Sequence, residues 1–266
     1  MILSKDLYRF NSKMNKNELL FYNAYEKFYL MARNSKAFQA FCKDAFGEDF
    51  SQDGFSNVEQ IDMIVQYIPQ GENVHILDIG CGNGKMLGYL QKKTGAYIHG
   101  FDFSEEAIQT AKILFPVNAE FQENVIGEID YSEEQFDVII SMDTMYFAKD
   151  MVTFVSQIKK WLKKEGVFFV GYQEGDVMPK TEDAYTTVLA QSLEKNEMNY
   201  EVINITEQTY KLLKEKRASA ILHKEEFEEE GYQIWYDMLI GQTESVSGSF
   251  EEFEKKMARY IYIIKK

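Results

Sequence analysis

Three glycines alternate along HILDIGCGNG, residues His75–Gly84, directly after an apolar run that contains one acid, Asp78. The glycines are Gly80, Gly82 and Gly84. Because glycine has no Cβ atom, the backbone of such a turn can approach a ligand closely. The dinucleotide fingerprint is G-x-G-x-x-G, and Lys85 occupies the place of its third glycine. Since Asp78 would repel a pyrophosphate, the pattern favours a ligand with a cationic end and no phosphate. A simple tight turn between strand and helix is the alternative.

A second acid ends the next apolar run. Asp102 stands 24 residues after Asp78, at the end of the next predicted strand. Cys81, inside the glycine turn, is interpreted as a small turn residue rather than a nucleophile. The three histidines are far apart in the sequence, so no metal site is expected. Together these residues favour a site for a ligand with a cationic end and no phosphate.

Short apolar strands alternate with helical segments through most of the chain. The predicted strands are Val74–Gly80, Ala96–Ser104, Ala119–Val125, Phe136–Asp143, Val167–Gln173, Tyr200–Thr206 and Ala258–Lys266. The predicted helices from residue 58 onward are Val58–Ile68, 85–95, Ser104–Phe115, Met151–Gly166, Thr181–Asn196, one capped by Thr206, and Ala218–Gly241. This alternation is typical of βαβ units and predicts a parallel sheet.

The composition limits the partners. The 266 residues carry 43 acids and 29 bases, and a net charge of −14 opposes binding to nucleic acid or to anionic membranes. No apolar stretch suits a membrane span, and the first 18 residues do not resemble a signal peptide. The two cysteines, Cys42 and Cys81, cannot form a disulfide framework. We therefore expect a cytoplasmic protein with a small-molecule substrate, and the oligomeric state stays open.

The motif DIGCGNG at Asp78–Gly84 resembles the first motif of class I S-adenosylmethionine-dependent methyltransferases. The resemblance extends to Asp102 and to the strand Phe136–Asp143, and it covers roughly Val74–Gln173. One departure lies in WLKKEGVFFV, where Glu165 replaces the first glycine of a family pair. The resemblance implies an α/β, Rossmann-like fold. Such a fold has a mainly parallel seven-stranded sheet flanked by helices, here with an N-terminal helical lid and a helical cap insertion.

The resemblance also implies S-adenosylmethionine as methyl donor, S-adenosylhomocysteine as its product, and no metal. It places Asp78 near the donor's ammonium group and Asp102 on the ribose hydroxyls. Phe103 would pack on the adenine, and Asn124 or Glu123 would reach the adenine edge, where the family often has an acid. The residues expected to bind the donor are Asp78, Gly80, Cys81, Gly82, Gly84, Asp102, Phe103, Ser104, Glu123, Asn124, Val125, Ser141, Met142 and Asp143.

The chain divides into four expected parts. They are an N-terminal helical segment (1–70), a donor-binding core (71–175), a remaining core helix and strand plus a helical cap (176–257), and the last core strand (258–266). The first part contains an aromatic stripe that could fold over the donor as a lid or face the core. Its members are Phe21, Tyr22, Tyr25, Phe28 and Tyr29. The lid candidates are the last four of these and Phe55. The long region 181–241 predicts a cap over the acceptor.

The methyl acceptor is less well specified than the donor. Methyl transfer depends chiefly on holding the nucleophile in line with the methyl group. We predict a small-molecule N or O acceptor, with an amine needing less assistance because a hydroxyl requires a general base. The candidate catalytic residues are Tyr25, Tyr146, Tyr172 and Gln173. Two alternatives remain: a nicotinamide-dependent oxidoreductase, which Lys85 disfavours, and a non-catalytic protein that binds S-adenosylmethionine.

Overall fold

A computed structural model describes residues 21–71 and 73–266, so the first 20 residues of the predicted N-terminal segment and Glu72 lie outside the described residues. Seven strands form one sheet. They are β1 (His75–Ile79), β2 (Tyr97–Asp102), β3 (Ala119–Glu123), β4 (Phe136–Met142), β5 (Leu162–Glu174), β6 (Asn199–Asn204) and β7 (Ala258–Lys265). Each predicted strand is present, and the predicted α/β fold class is confirmed.

The strands lie in the order β3-β2-β1-β4-β5-β7-β6. Strands β1 to β5 run parallel, whereas β7 pairs antiparallel with both β5 and β6. The prediction of a mainly parallel seven-stranded sheet is therefore confirmed. The chain proceeds from β1 outward to β3 and then returns to place β4 on the other side of β1. In open α/β sheets, ligands bind at the carboxyl ends of the strands where the order reverses in this way.

Eleven α-helices are present within the described residues. They are α1 (Tyr22–Asn34), α2 (Lys36–Phe46), α3 (Val58–Val65), α4 (Lys85–Thr94), α5 (Glu105–Leu114), α6 (Met151–Trp161), α7 (Val188–Lys195), α8 (Thr206–Leu222), α9 (Lys224–Glu229), α10 (Gln233–Gln242) and α11 (Phe250–Glu254). None of these helices is both long and apolar enough to cross a bilayer.

Helices cover both faces of the sheet because successive strand side chains point to opposite faces. On one face, Ile76 of β1 packs in the same core cluster as Phe41 of α2. On the other face, Leu77 packs in a cluster with Val155 of α6 and Leu193 of α7. Burial of both faces explains why the central strands read as nearly continuous apolar runs rather than alternating ones.

One predicted helix extends too far. The prediction of a helix over Met151–Gly166 is wrong beyond Trp161. Leu162 already pairs with Phe136 of β4, so the last residues of the predicted helix form the start of the 13-residue strand β5. Glu165 has a φ of 62°, which ends any helical continuation at that point. Pairing with the neighbouring strand therefore outweighs the helical pattern of the sequence.

A second predicted helix begins late. The prediction of a helix over Thr181–Asn196 is wrong before Val188, where α7 starts. The Thr187 hydroxyl caps that helix by accepting a hydrogen bond from a backbone N–H. Upstream, the backbone N–H and hydroxyl of Thr181 both donate to the Glu174 carboxylate at the end of β5. These bonds hold the preceding segment in turns.

The predicted helices beyond residue 206 also need correction. Thr206 is the first residue of α8 rather than its cap, and its hydroxyl accepts a hydrogen bond from the backbone N–H of Arg259 instead. The predicted helix Ala218–Gly241 is interrupted at His223 and again at Gly231, where φ is 76°. The region consists of the end of α8, the short α9 and α10.

Candidate active site

A cavity of about 260 Å³ opens at the carboxyl ends of β1, β2 and β4. Its wall contains the glycine turn after β1, the ends of β2 and β4, and the segment that follows β3. Side chains of α1 and the loop 50–55 complete the wall. The cavity therefore lies where the strand order reverses, the position at which this sheet topology binds ligands.

The glycine turn presents bare backbone to this cavity. Gly80 and Gly82 have φ values of 74° and 52°, which side-chain-bearing residues rarely adopt. A Cβ atom on Gly80 would lie 2.6 Å from Cγ2 of Thr144, and one on Gly82 would lie 2.4 Å from the Tyr29 hydroxyl oxygen. Both positions thus require glycine for conformation and for space. The turn has the shape of a cradle for a ligand that contacts the main chain.

Asp102 lies directly beside the turn. Its carboxylate accepts a hydrogen bond from the Gly82 N–H at 3.0 Å and another from the Ser104 N–H at 2.9 Å. Burial raises the pKa of Asp102 to about 6, against the lowering effect of these two N–H donors. Each carboxylate oxygen has a further lone pair. Asp102 can therefore receive two hydroxyl donors from a ligand without releasing the turn.

Asp78 is the second buried acid of the cavity. It is 2% exposed, and burial raises its pKa well above the usual value, with the Asp102 charge adding to the rise. Burial, followed by the charges of Asp102 and Asp78, raises the pKa of the Cys81 thiol, which disfavours the nucleophilic thiolate. Among residues 21–71 and 73–266, no basic side chain forms an ion pair with either acid, so the two charges are electrostatically unfavourable together. A cationic ligand would relieve that repulsion.

Lys85, the residue in the place of the third dinucleotide glycine, supports the cavity wall. Its ammonium lies 2.5 Å from the Asp49 carboxylate and donates to the Ser51 hydroxyl at 2.7 Å. The Asn83 side chain donates to the Ser51 carbonyl at 3.3 Å. The start of the loop 50–55 is thus attached to the glycine turn. Glycine at this position could not make these contacts with Asp49 and Ser51, because they require the lysine side chain.

The exit of β4 is attached to the end of β1 by two hydroxyls. The Ser141 and Thr144 hydroxyls are 2.6 Å apart, and the Thr144 hydroxyl donates to the Ile79 carbonyl at 2.7 Å. Ser141 is fully buried and does not line the cavity, whereas Thr144 does. Ser141 supports Thr144, and Thr144 in turn fills the space left by Gly80.

Asp143 lines the cavity but is bound from behind by Arg259 of β7. The guanidinium donates to both carboxylate oxygens, at 3.1 Å and 2.7 Å, and Arg259 is fully buried. Its remaining N–H groups donate to the Phe55 carbonyl, the Gln60 side chain and the Ser56 hydroxyl. All five guanidinium donors are used. Arg259 therefore joins the β4 exit to the loop 50–55.

The aromatic stripe of α1 has two roles. Tyr25 and Tyr29 line the cavity, and the Tyr25 ring lies 5.6 Å from that of Phe103 at the end of β2. Phe28, one turn along, is buried against Phe38 of α2 at 5.4 Å. The same helix thus covers the cavity with one set of positions and joins the core with another. The core-facing interpretation is confirmed for Phe28, and the interpretation of the stripe as a lid over the donor stays a prediction.

Twelve of the predicted site residues line the cavity: Tyr25, Asp78, Gly80, Cys81, Gly82, Asp102, Phe103, Asn124, Val125, Met142, Asp143 and Tyr146. They come from four strand ends and α1, so the structure brings together segments that are distant in sequence. Asn124, rather than Glu123, faces the cavity after β3. The remaining predicted site residues do not line it.

Each of those remaining residues has a structural explanation. Gly84 is the N-cap of α4, where a Cβ atom would lie 2.8 Å from the Phe121 ring, and the Ser104 hydroxyl caps α5. Glu123 ends β3, and Ser141 is buried inside β4. The last two are Tyr172 and Gln173 of β5. Tyr172 points to the opposite face of the sheet and packs against Tyr262 at 6.2 Å, and Gln173 is buried beside β7.

Sequence reasoning missed most of the loop 50–55 and the residues after β4. The loop contributes Phe50, Ser51, Gln52, Asp53 and Gly54 to the cavity in addition to Phe55, and Asn83, Met86, Thr144, Phe147 and Met178 are further lining residues outside the predicted set. Polar and glycine residues in SQDGFSN predict a loop. Nothing local to that loop indicates that it folds back over the sheet.

The helices α8 to α11 stand behind the cavity wall. No residue of 181–254 lines the cavity, within the part of the chain that the structure describes. Ser219 of α8 donates to the Phe41 carbonyl of α2 at 3.0 Å, and Lys216 donates to the Gly54 carbonyl at 3.3 Å. The region thus supports the loop 50–55 and the helix α2, and the prediction that it forms a cap stays a prediction. No group of three or more His, Cys, Asp or Glu side chains among residues 21–71 and 73–266 is placed to hold a metal.

A family model described as a methyltransferase domain matches residues 70–237, more than half of the chain. The chain belongs to this methyltransferase family. Membership decides against a nicotinamide-dependent oxidoreductase. It agrees with Lys85 in the place of the third dinucleotide glycine and with two acids, Asp78 and Asp102, where a pyrophosphate would lie.

Curated relatives match the methyltransferase over part of their length. A ubiquinone biosynthesis O-methyltransferase from Bartonella quintana is 31% identical over 102 residues, which is 37% of this chain and 41% of the relative. A phosphoethanolamine N-methyltransferase from Plasmodium falciparum is 30% identical over 129 residues, 47% of this chain and 48% of the relative. The matched part therefore spans less than half of each of these relatives.

The fold is similar to a solved structure of phosphoethanolamine N-methyltransferase 2 from Haemonchus contortus. That structure holds phosphomonomethylethanolamine and S-adenosylhomocysteine. The TM-score is 0.74 at 18% identity, over 93% of this chain and 60% of the other. At this identity the likeness shows the fold alone, and it agrees with the mainly parallel seven-stranded sheet described above.

Proposed function

We propose that this methyltransferase moves a methyl group from S-adenosylmethionine to a nitrogen or oxygen atom of a small molecule. The observation that carries the proposal is the Asp102 carboxylate, which lies beside the bare backbone of the glycine turn and 3.0 Å from the Gly82 nitrogen. That arrangement suits a nucleoside whose ribose meets a carboxylate and whose other end meets main-chain groups. The buried pair Asp78 and Asp102 favours a cationic nucleoside over one that carries phosphate.

We assign the donor-binding roles as follows. Asp102 accepts the ribose hydroxyls, and Asp78 lies toward the donor's ammonium group. Phe103 and Asn124 line the part of the cavity proposed for the adenine, and Met142 lines the part near the sulfonium. When bound, S-adenosylmethionine supplies an electrophilic methyl group. The residues of this chain bind it, orient it and keep water away from the methyl carbon.

The acceptor meets the donor beyond the end of β4. Tyr25 and Tyr146 line that part of the cavity, and burial raises the pKa of both phenols far above neutral pH. Both hydroxyls therefore stay protonated and orient the acceptor by hydrogen bonds rather than act as bases. Holding the nucleophile in line with the methyl group is worth about 7–11 kcal/mol in favourable cases. Tyr172 and Gln173 are not needed for this arrangement.

The relatives support both acceptor chemistries. One is named an O-methyltransferase of ubiquinone biosynthesis and the other a phosphoethanolamine N-methyltransferase, so each acts on a small molecule. An amine is a suitable acceptor here because a hydroxyl would need a stronger base than the protonated tyrosines provide. The buried, free thiols of Cys42 and Cys81 support the prediction of a cytoplasmic location.

Transfer of a labelled methyl group tests the proposal. Wild-type protein is incubated with methyl-labelled S-adenosylmethionine and a panel of small amines, phenols and alcohols. We expect label in at least one acceptor class and much less transfer by Asp102→Ala. S-adenosylhomocysteine binding without transfer to any acceptor would instead support a non-catalytic protein that binds the donor.

A further inference from the structure

We propose that the acceptor is an amine without phosphate, and that Asp53 binds its ammonium group. This inference rests on the proposed function and specifies the substrate class of the same cavity. The part of the cavity beyond the end of β4 is called the acceptor half, because the donor-binding acids lie at the ends of β1 and β2. Its wall contains Tyr25, Asp53, Phe55, Tyr146, Phe147 and Met178.

Asp53 is the carboxylate of the acceptor half with capacity for a ligand. Asp143, the other acid beyond β4, has both oxygens engaged by Arg259. One Asp53 oxygen accepts a hydrogen bond from the Gln242 side chain at 2.9 Å. Among residues 21–71 and 73–266, no side chain donates to its other oxygen and no cation lies within 4.0 Å of it. That oxygen can accept a charge-assisted hydrogen bond from an ammonium.

Lys216 is the cation whose charge acts on Asp53, and it does not line the cavity. Lys216 is 1% exposed and donates to the Gly54 carbonyl, and its ammonium lies 5.0 Å from the centre of the Phe55 ring. Burial lowers the pKa of Lys216, and the Asp53 charge opposes that shift. Lys216 therefore supports the loop backbone and does not present its charge to a ligand in the cavity.

The acceptor half is poorly suited to a phosphate or carboxylate. Within the part of the chain described, Lys149 is the one basic side chain that lines the cavity, and its ammonium lies 3.9 Å from the Glu128 carboxylate near the surface. Phosphate recognition usually requires arginine forks, several cations or a helix N-terminus. A single lysine beside an acid does not supply this. The acceptor should therefore lack the phosphate that the phosphoethanolamine enzymes accept.

Aromatic side chains and negative charge favour a cation in the same space. Charges on Asp53, Asp102, Asp143 and the exposed Asp176 all help to raise the pKa of Tyr25, after burial, so the potential at its phenol is negative. The neutral rings of Tyr25 and Tyr146 can contact an ammonium through their faces. The acidic charges favour an ammonium group and the aromatic rings favour an apolar substituent, so both favour an amine that carries such a substituent.

The chemistry balances for an amine acceptor. The bound ammonium passes one proton to the Asp53 carboxylate, which frees the nitrogen lone pair. That lone pair forms the new N–C bond while the C–S bond breaks, and the bonding electrons go to sulfur. The products are a methylated ammonium and the neutral thioether S-adenosylhomocysteine. Asp53 then returns the proton to solvent, so no further reactant is needed.

Binding of three matched aromatic probes tests the inference. Benzylamine, benzyl alcohol and phenyl phosphate are titrated calorimetrically into the protein saturated with S-adenosylhomocysteine. We expect benzylamine to bind at least about tenfold more tightly than benzyl alcohol, a difference of about 1.4 kcal/mol, and phenyl phosphate to bind more weakly than either. Asp53→Asn keeps the oxygen that accepts from Gln242 and should abolish the preference for benzylamine.

The control is Glu59→Gln, which removes one negative charge from an exposed side chain at the start of α3 and should preserve the preference. Equal affinity for benzylamine and benzyl alcohol, absence of benzylamine binding, or a preference that survives in Asp53→Asn would overturn the inference. Tight binding of phenyl phosphate would do the same. Loss of S-adenosylhomocysteine binding in the wild type would refute the proposed function itself, whereas intact donor binding confines the failure to the acceptor class.

Discussion

The guanidinium of Arg259 donates to both carboxylate oxygens of Asp143, at 3.1 Å and 2.7 Å, and neither side chain is more than 8% exposed. Arg259 comes from the last strand, and Asp143 follows β4 at a φ of 58°. The same guanidinium bonds to the loop that carries Phe55. The C-terminal strand therefore fixes the distance between two walls of the cavity.

Arg259→Met should reduce the free energy of unfolding by about 3–5 kcal/mol, because it leaves the Asp143 carboxylate buried without a partner. Urea denaturation measures this change. Arg33→Met is the matched control, since its ion pair with Glu106 is partly exposed and should be worth less than about 1 kcal/mol. Equal effects of the two substitutions would show that Arg259 is not the link between the walls.

The raised pKa of Asp102 predicts a pH dependence of stability. The folded protein holds this proton up to a pH of about 6, whereas the unfolded chain releases it near 3.8. Between these values the folded state binds more protons, so the contribution of Asp102 to stability falls as pH rises. From pH 5 to pH 7 the stability of wild type relative to Asp102→Asn should fall by about 1 kcal/mol. A difference that stays constant or rises over this range contradicts the assignment.

Gly82→Ala should disturb the cavity more than its backbone conformation alone explains. The new Cβ atom would lie 2.4 Å from the Tyr29 hydroxyl, whereas Gly95, at a φ of 74°, has no atom within 4 Å of such a Cβ. We expect Gly95→Ala to cost about 1 kcal/mol of stability from backbone strain and to leave binding of S-adenosylhomocysteine unchanged. Gly82→Ala should cost more and should weaken binding at least tenfold. Similar behaviour of both variants would mean that Tyr29 does not pack against the turn.

Tyr25→Phe removes one hydroxyl from the wall of the acceptor half and keeps the ring contact with Phe103. We expect lower turnover with nearly unchanged affinity for S-adenosylhomocysteine, because the hydroxyl orients the acceptor rather than the donor. Labelled-methyl transfer and calorimetry measure the two quantities separately. Phe38→Leu in α2 is the comparison, since Phe38 is fully buried and away from the cavity and should affect stability alone. A stability loss without a change in turnover would assign Tyr25 to the core.

Site residues were predicted correctly from the sequence where the local backbone or strand position allows few residue types. Gly80, Gly82 and Asp102 were predicted to form the ligand site. A glycine turn with an exposed backbone, followed by an acid at the end of the next strand, is typical of such a site. Strand positions followed from their apolar runs, although β5 begins five residues earlier than predicted because Leu162 pairs with Phe136. Such pairing is a long-range effect that no local window contains.

The cavity wall was hardest to predict where it depends on distant contacts. Asp53 and Phe55 lie in a loop whose position is set by Lys216 and Arg259, more than 150 residues later in the chain. Tyr172 was predicted from its place near a strand end, yet strand alternation directs it to the opposite face. Spacing along the chain indicates which segments meet at the sheet edge. It does not indicate which loops cover them.

Calorimetric titration of S-adenosylhomocysteine and NAD into the wild-type protein and Asp102→Ala tests the central claim most directly. We expect S-adenosylhomocysteine to bind one site on the wild type and NAD not to bind. Asp102→Ala should remain folded and bind about 10- to 100-fold more weakly, as expected for lost hydrogen bonds to a charged group. Binding of NAD without binding of S-adenosylhomocysteine, or unchanged affinity in Asp102→Ala, would contradict it.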